Sequence, residues 1–127
     1  MSTLVVATIK SSGSGAPTIQ NTSGTEIGQV AKAWCRWHTS GTTAIDDSFG
    51  VSSVSDNGSG LSYVNFSTNF ANANYAVTCT GQEDSGGGAR FTMPKTPETN
   101  RCQIEFRNTS NTARDATGLW AIFCGDQ

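Results

Sequence analysis

Apolar and polar residues alternate with a period of two in several short stretches of this sequence. Such alternation predicts β-strands with one face in a core and the other toward solvent. The stretches are residues 33–38, 61–66, 74–80 and 102–107. In the clearest of them, Cys102, Ile104 and Phe106 form the apolar side, opposite a predicted solvent face. The run 119–124 is apolar on both sides, so we expect it at the centre of a sheet or at a subunit contact.

Turn residues separate these stretches, and no window keeps an apolar 3.6-residue period for three turns, so no helix is predicted. Residues 56–60, Asp-Asn-Gly-Ser-Gly, predict a tight hairpin. Residues 85–88 predict a loop tip, and Pro94 and Pro97 predict a connection outside any central strand. Short strands with glycine-rich turns predict an all-β protein, built as an antiparallel β-sandwich or a jelly roll.

The first 30 residues differ from the rest. Residues 4–9 predict one strand, but the polar stretches that follow contain too few apolar residues to bury a core of their own. Such a segment is either an unsupported tail or an extended arm ordered by another chain, and we favour the arm. We therefore predict an N-terminal attachment and oligomerisation arm, residues 1–30, before a knob domain, residues 31–127. The arm's candidate contacts are Leu4, Val6, Ile9, Ile19 and Ile27.

Charge and hydropathy exclude several classes of partner. The 127 residues include 8 basic and 10 acidic side chains, a net charge of −2, so no broad electropositive surface for nucleic acid is expected. The longest apolar runs, of about six residues, are far too short to cross a membrane. The N-terminus lacks the basic region and apolar stretch of a signal peptide, which predicts synthesis in the cytoplasm.

The four cysteines, Cys35, Cys79, Cys102 and Cys124, are widely spaced and form no Cys-x-x-Cys pair. Three of them fall on the apolar side of their stretch, so we expect small buried hydrophobic residues, with two disulfides as the alternative and a metal site as a third. Cys35 and His38 are three positions apart on a predicted strand, and their side chains therefore point to opposite faces. No metal or cofactor is predicted.

Candidate catalytic residues are few. His38 is the sole histidine, and Ser40, Asp46 and Asp47 could join it only if the fold brought them together. No nucleophile-elbow sequence is present, and the paired acidic residues match neither a calcium loop nor a glycosidase pattern. We therefore expect no enzyme.

A recognition surface is the remaining candidate site. If Trp37 faces the core, then Trp34, Arg36 and His38 face outward, where an exposed indole indicates a contact surface. The alternative is a central strand that is buried on both faces.

Several stretches resemble small bacteriophage virion proteins, many of them labelled as tail-fibre proteins. The opening resembles theirs at residues 3–12, TLVVATIKSS, then 19–28, IQNTSGTEIG, and 31–34, AKAW. Residues 51–60, 63–66 and 72–77 are similar too, so the resemblance covers roughly residues 3–78. Relatives usually have smaller or apolar residues after AKAW, where this chain has Cys-Arg-Trp-His, and this surface is therefore a candidate for specialisation.

The resemblance implies a β-rich particle-surface protein, commonly a homotrimer, without a cofactor. A short arm and one domain suit a capsid decoration or cement protein, bound to itself and to the major capsid protein or another virion protein. The expected location is the virion surface, after synthesis in the host cytoplasm. The alternative is a tail-fibre tip that binds a host surface glycan.

Overall fold

The computed structural model describes residues 3–10, 19–82 and 89–127, which contain ten β-strands and no helix. The strands are β1 (Ile19–Gln20), β2 (Glu26–Gly28), β3 (Ala33–His38), β4 (Ala44–Phe49), β5 (Val51–Asp56), β6 (Leu61–Phe66), β7 (Ala76–Gln82), β8 (Arg90–Glu98), β9 (Arg101–Asn108) and β10 (Gly118–Cys124). The all-β prediction is confirmed. Across the described ranges, no helix could span a membrane. The loop predicted at 85–88 lies outside the described residues.

The chain divides into two units, residues 1–30 and 31–127. In the first unit β1 and β2 pair antiparallel, and the Asn21 side chain accepts hydrogen bonds from the backbone N–H groups of Ser23 and Thr25 in the turn between them. The strand predicted over residues 4–9 is wrong for this structure, since residues 3–10 contain no strand. A strand needs a neighbour for its backbone hydrogen bonds, and the described residues provide none for this segment.

The second unit contains two four-stranded antiparallel sheets, ordered β4-β3-β10-β7 and β5-β6-β9-β8. Alternating apolar residues place one face of each sheet in a shared core. The rings of Phe66 in β6 and Phe123 in β10 meet edge to face, with centroids 4.9 Å apart. The Trp37 indole in β3 donates to the Ser62 hydroxyl in β6 at 3.0 Å. The architecture is therefore β-sandwich-like.

The sequence correctly predicts one buried strand face, one hairpin and one central strand. The alternation over 33–38 buries Ala33, Cys35 and Trp37, and the hairpin predicted at 56–60 joins β5 to β6. In that hairpin the Asn57 N–H donates to the Leu61 carbonyl, the Leu61 N–H donates to the Gly58 carbonyl, and the positive φ angles fall on glycines. Strand β10 lies between β3 and β7, as its two apolar sides predict.

Two further expectations need correction. The connection predicted around Pro94 and Pro97 is instead strand β8, which tolerates both prolines because it is an edge strand with one side unpaired. The predicted solvent face of 102–107 is also wrong at its centre, where Gln103 and Glu105 are buried. Strand β9 lies between β6 and β8, and charged partners cover the Glu105 carboxylate.

Candidate functional site

Strand β3 presents three side chains on the outer face of its sheet. The burial of this strand alternates strictly, and Trp34, Arg36 and His38 occupy the outward positions. Trp34 is 37% exposed and therefore faces outward, so strand β3 is not buried on both faces. The three candidate recognition residues therefore share one surface.

Strand register extends this surface with an apolar row across three strands. Trp34 lies opposite Phe49 of β4 on one side and Ile122 of β10 on the other. Phe49 is 58% exposed and Ile122 is 49% exposed. A contiguous set of large apolar side chains on a flat sheet is typical of a contact surface. We call Phe49, Trp34 and Ile122 the apolar row.

A charged and aromatic row lies next to the apolar row. Arg36 pairs across the sheet with Asp47 on one side and Trp120 on the other. Its guanidinium lies 5.6 Å from the centroid of the Trp120 ring, a cation–π distance, and its Nε lies 3.7 Å from Asp46. The Arg36 side chain is half exposed, so this ion pair contributes little to stability and leaves donors free for a ligand.

The sheet also brings His38 to Asp46. The ring Nδ1 lies 3.0 Å from a carboxylate oxygen of Asp46, which a bulge in β4 turns toward the outer face. This contact matches the base–acid half of a Ser-His-Asp arrangement. Among the described residues, no hydroxyl is hydrogen-bonded to the His38 ring. The pair orients the imidazole as a polar group at the edge of the surface.

A shallow apolar depression of about 100 Å³ lies beside the two rows. It is lined by Thr78, Cys79, Thr80, Trp120, Ala121 and Ile122. Two threonines on β7 are shorter than the neighbouring indole and isoleucine of β10, and this difference in side-chain length creates the hollow.

The cysteines are all free thiols. Cys35 and Cys102 are buried, and Cys79 and Cys124 are half-buried, which agrees with the interpretation as small hydrophobic residues. Burial raises the pKa of Cys35 to about 12, with a smaller contribution from Asp46 and Asp47, and it raises the pKa of Cys102 to about 11. Within the described ranges, no cluster of three or more histidine, cysteine, aspartate and glutamate side chains could hold a metal ion.

The candidate contacts of the arm are exposed in a single copy of the chain. Leu4, Val6 and Ile9 are 81%, 49% and 70% exposed. On the β1–β2 hairpin, Ile19 and Ile27 are 49% and 64% exposed.

Sequence reasoning missed Phe49, Trp120 and Ile122 as parts of the recognition surface. They lie on β4 and β10, and only the pairing of these strands with β3 brings them beside Trp34 and Arg36. One signal was present: the run 119–124 is apolar on both sides, which indicates a second apolar surface on that strand.

No family model, curated protein or solved structure matches this chain.

Proposed function

We propose that this chain is a non-enzymatic structural protein of a bacteriophage virion, a homotrimeric surface knob that decorates and cements the capsid through its N-terminal arm. The observation that carries the proposal is the exposure of the arm's apolar side chains. Leu4, Val6 and Ile9 are 81%, 49% and 70% exposed in one copy. Large apolar side chains in an extended segment favour burial against another polypeptide.

The free energy of burying these side chains suits weak, reversible attachment by one arm and tighter binding when several arms bind at once. Fully burying one such side chain contributes about 1.5–3 kcal/mol. Three of them offset much of the cost of ordering the segment and of association. Three arms on one trimer raise the effective affinity, because the second and third bind in an intramolecular event.

The knob domain fits the same role. Only 14% of residues are charged, and the resemblance to phage virion proteins over roughly residues 3–78 implies a particle-surface location. Within the β class we favour a sandwich over a jelly roll, since three pairs of sequence-consecutive strands, β3–β4, β5–β6 and β8–β9, are direct neighbours within a sheet. The partners are the major capsid protein or another virion protein, and the location is the virion surface after synthesis in the host cytoplasm.

Particle binding tests this proposal. Deleting residues 2–28 is expected to leave a folded domain that no longer co-sediments with particles lacking the protein. Leu4→Asp with Ile9→Asp is expected to weaken binding at least about tenfold, which corresponds to about 1.4 kcal/mol. Thr3→Asp with Ser11→Asp, which adds the same two charges at polar positions flanking residues 4–9, is the matched control and retains more binding. Undiminished co-sedimentation of the deletion variant would overturn the attachment role.

The second candidate function is a tail-fibre tip that binds a host surface glycan. The observation that favours it is the outer face of β3, where exposed Trp34 lies beside Arg36 and the His38–Asp46 pair. An aromatic plane with polar groups at its edge suits a sugar ring. Trp34→Ala would then abolish binding to host cells. Phe91→Ala, which removes a 52% exposed aromatic residue from the other sheet, would not.

Gold-labelled antibody on intact virions separates the two functions. Label over the whole head supports decoration and rules out the tip. Label at the tail alone rules out decoration.

A further inference from the structure

One edge of strand β7 has no hydrogen-bonded neighbour among the described residues, and β8 of the other sheet runs close to it. The two sheets of the second unit have four edge strands, β4, β7, β5 and β8. Proteins protect such edges with charged residues, prolines or bulges, because an open edge pairs with other chains. Strand β4 contains two aspartates and a bulge, β5 contains an aspartate and a register shift, and β8 contains two prolines and a register shift. Strand β7 contains no charge and no proline, and it pairs with β10 over seven positions without a register shift.

Both faces beside β7 are incompletely covered. On the inner face, Val77 and Cys79 pack against the core but are only partly buried. On the outer face, Thr78 and Thr80 line the depression next to Trp120. A strand added beside β7 would therefore cover apolar surface with both of its faces, and it should be apolar on both.

Residues 4–9 have the properties that this edge requires. The sequence Leu-Val-Val-Ala-Thr-Ile is uncharged, strongly β-forming and apolar at both alternating sets of positions. Its length of six residues is close to the seven of β7. No strand in the described residues pairs with it, and its largest side chains are exposed. Adding a strand to an open edge would satisfy its backbone hydrogen-bonding groups.

We propose that residues 4–9 of one copy of this chain pair, as an added strand, with the free edge of β7 in a second copy. The inference rests on the proposed function, because it names the surface that the oligomerising part of the arm contacts. Each copy has one arm and one such edge, and a head-to-tail exchange therefore closes into a ring when its rotation allows. Three copies give the homotrimer. The hairpin residues Ile19 and Ile27 then contact the capsid. Leu4→Asp with Ile9→Asp weakens particle binding because it dissociates the trimer and so removes multivalent attachment.

Paired cysteines in the full-length chain test this pairing. Thr78→Cys is combined with Val5→Cys in one variant and with Val6→Cys in another, because adjacent arm residues point to opposite faces. Neighbouring strands bring facing residues within disulfide distance. Mild oxidation is expected to give covalent dimers and trimers, and peptide mapping should find the bond from residue 78 to the arm and not to a native cysteine. If Thr78→Cys does not fold, Thr80→Cys takes its place on the same face.

Ser55→Cys with the same arm cysteines is the matched control, since Ser55 is exposed on the edge strand β5. We expect at least about tenfold less interchain disulfide there than at residue 78. Equal yields at both edges, a bond within one chain, or no arm bond at residues 78 and 80 would each overturn the proposal.

Particle binding of the same variants separates this inference from the proposed function. Arm-dependent particle binding without any bond to β7 contradicts the edge pairing and leaves capsid attachment in place. Covalent trimers that form as expected, but come from a protein that binds no particle, contradict capsid attachment and leave the edge pairing in place.

Discussion

At the residue scale, the fold buries two thiols and one carboxylate. The thiols of Cys35 and Cys102 lie in the core, where burial raises their pKa to about 12 and about 11. The carboxylate of Glu105 is 5% exposed and contacts Arg107 and Lys95. Strand alternation predicted the positions of the thiols. It placed Glu105 in solvent, because a period of two cannot report that long basic side chains from the same and the neighbouring strand cover that face.

Thiol reactivity should follow burial. At pH 8 in the folded protein we expect Cys35 and Cys102 to react with a thiol reagent at least about tenfold more slowly than Cys79 and Cys124, since the thiolate is the reactive form. After unfolding without reductant, all four should react. Mass spectrometry of labelled peptides measures this for each residue. A titre of zero thiols after unfolding would show two disulfides instead.

The stability of the fold should depend on pH through Glu105. The Arg107 guanidinium, aided by Lys95, holds the pKa of this carboxyl below its ordinary value. A carboxyl whose pKa is lower in the folded state than in the unfolded state, where it is about 4.3, stabilises the fold at pH values above that unfolded pKa. This stabilisation is lost as the pH falls through the pKa of the folded state. At pH 7 we expect Glu105→Gln to lower the free energy of unfolding by about 1–3 kcal/mol.

Urea unfolding between pH 7 and pH 3 checks this expectation, and the gap between wild type and Glu105→Gln should narrow below about pH 4–5. Glu98→Gln is the control, because Glu98 forms a more exposed ion pair with Arg101. Its cost should stay below about 1 kcal/mol. A gap that stays constant down to pH 3 would contradict the depressed pKa.

At the element scale, the position of each strand in its sheet decides what its sequence pattern means. Strand β8 contains two prolines and still forms a strand, because it lies at an edge. Strand β3 is second in its sheet, and its two tryptophans therefore face different environments. Trp37 crosses the core to reach Ser62 of the opposite sheet, whereas Trp34 joins the outer surface. The alternation specified the opposite faces but not which strands flank them.

The Trp37–Ser62 hydrogen bond should couple the two sheets. Ser62→Ala leaves the buried indole N–H without an acceptor, at an expected cost of about 1–3 kcal/mol. Trp37→Phe should cost more, because it also leaves a cavity. The double variant should lose about 1 kcal/mol less free energy of unfolding than the sum of the two single variants' losses. Chemical denaturation measures all three variants, with exposed Ser67→Ala as a control that stays within about 0.5 kcal/mol of wild type. Strict additivity would contradict the coupling.

At the scale of the whole molecule, the two units differ in how they are stabilised. The buried hydrophobic core that the structure describes comes entirely from residues 33–123. The described apolar residues of the arm are exposed, and the hairpin described there pairs only two short strands. The proposed function assigns these exposed side chains to contacts with another chain.

Deletion of residues 2–28 should leave the unfolding of the domain almost unchanged. In calorimetry of dilute, monomeric protein we expect the Tm to stay within about 4 °C of wild type, a shift that corresponds to less than about 1 kcal/mol. At high concentration the full-length protein should gain stability from oligomerisation, and the deletion variant should not. A large loss of Tm in the dilute deletion variant would show that the arm belongs to the core.

The sequence by itself determined the all-β class, the outward position of Trp34, Arg36 and His38, and the burial of Cys35, because these depend on the two-residue period of a strand. It also indicated that the first 30 residues cannot form a core alone. Only the tertiary structure decided that Phe49 and Ile122 lie beside Trp34, that the face bearing Glu105 is covered, and that β7 is the uncharged edge. These features depend on which distant strands become neighbours, and the apolar/polar pattern of one strand does not encode which strand pairs with it.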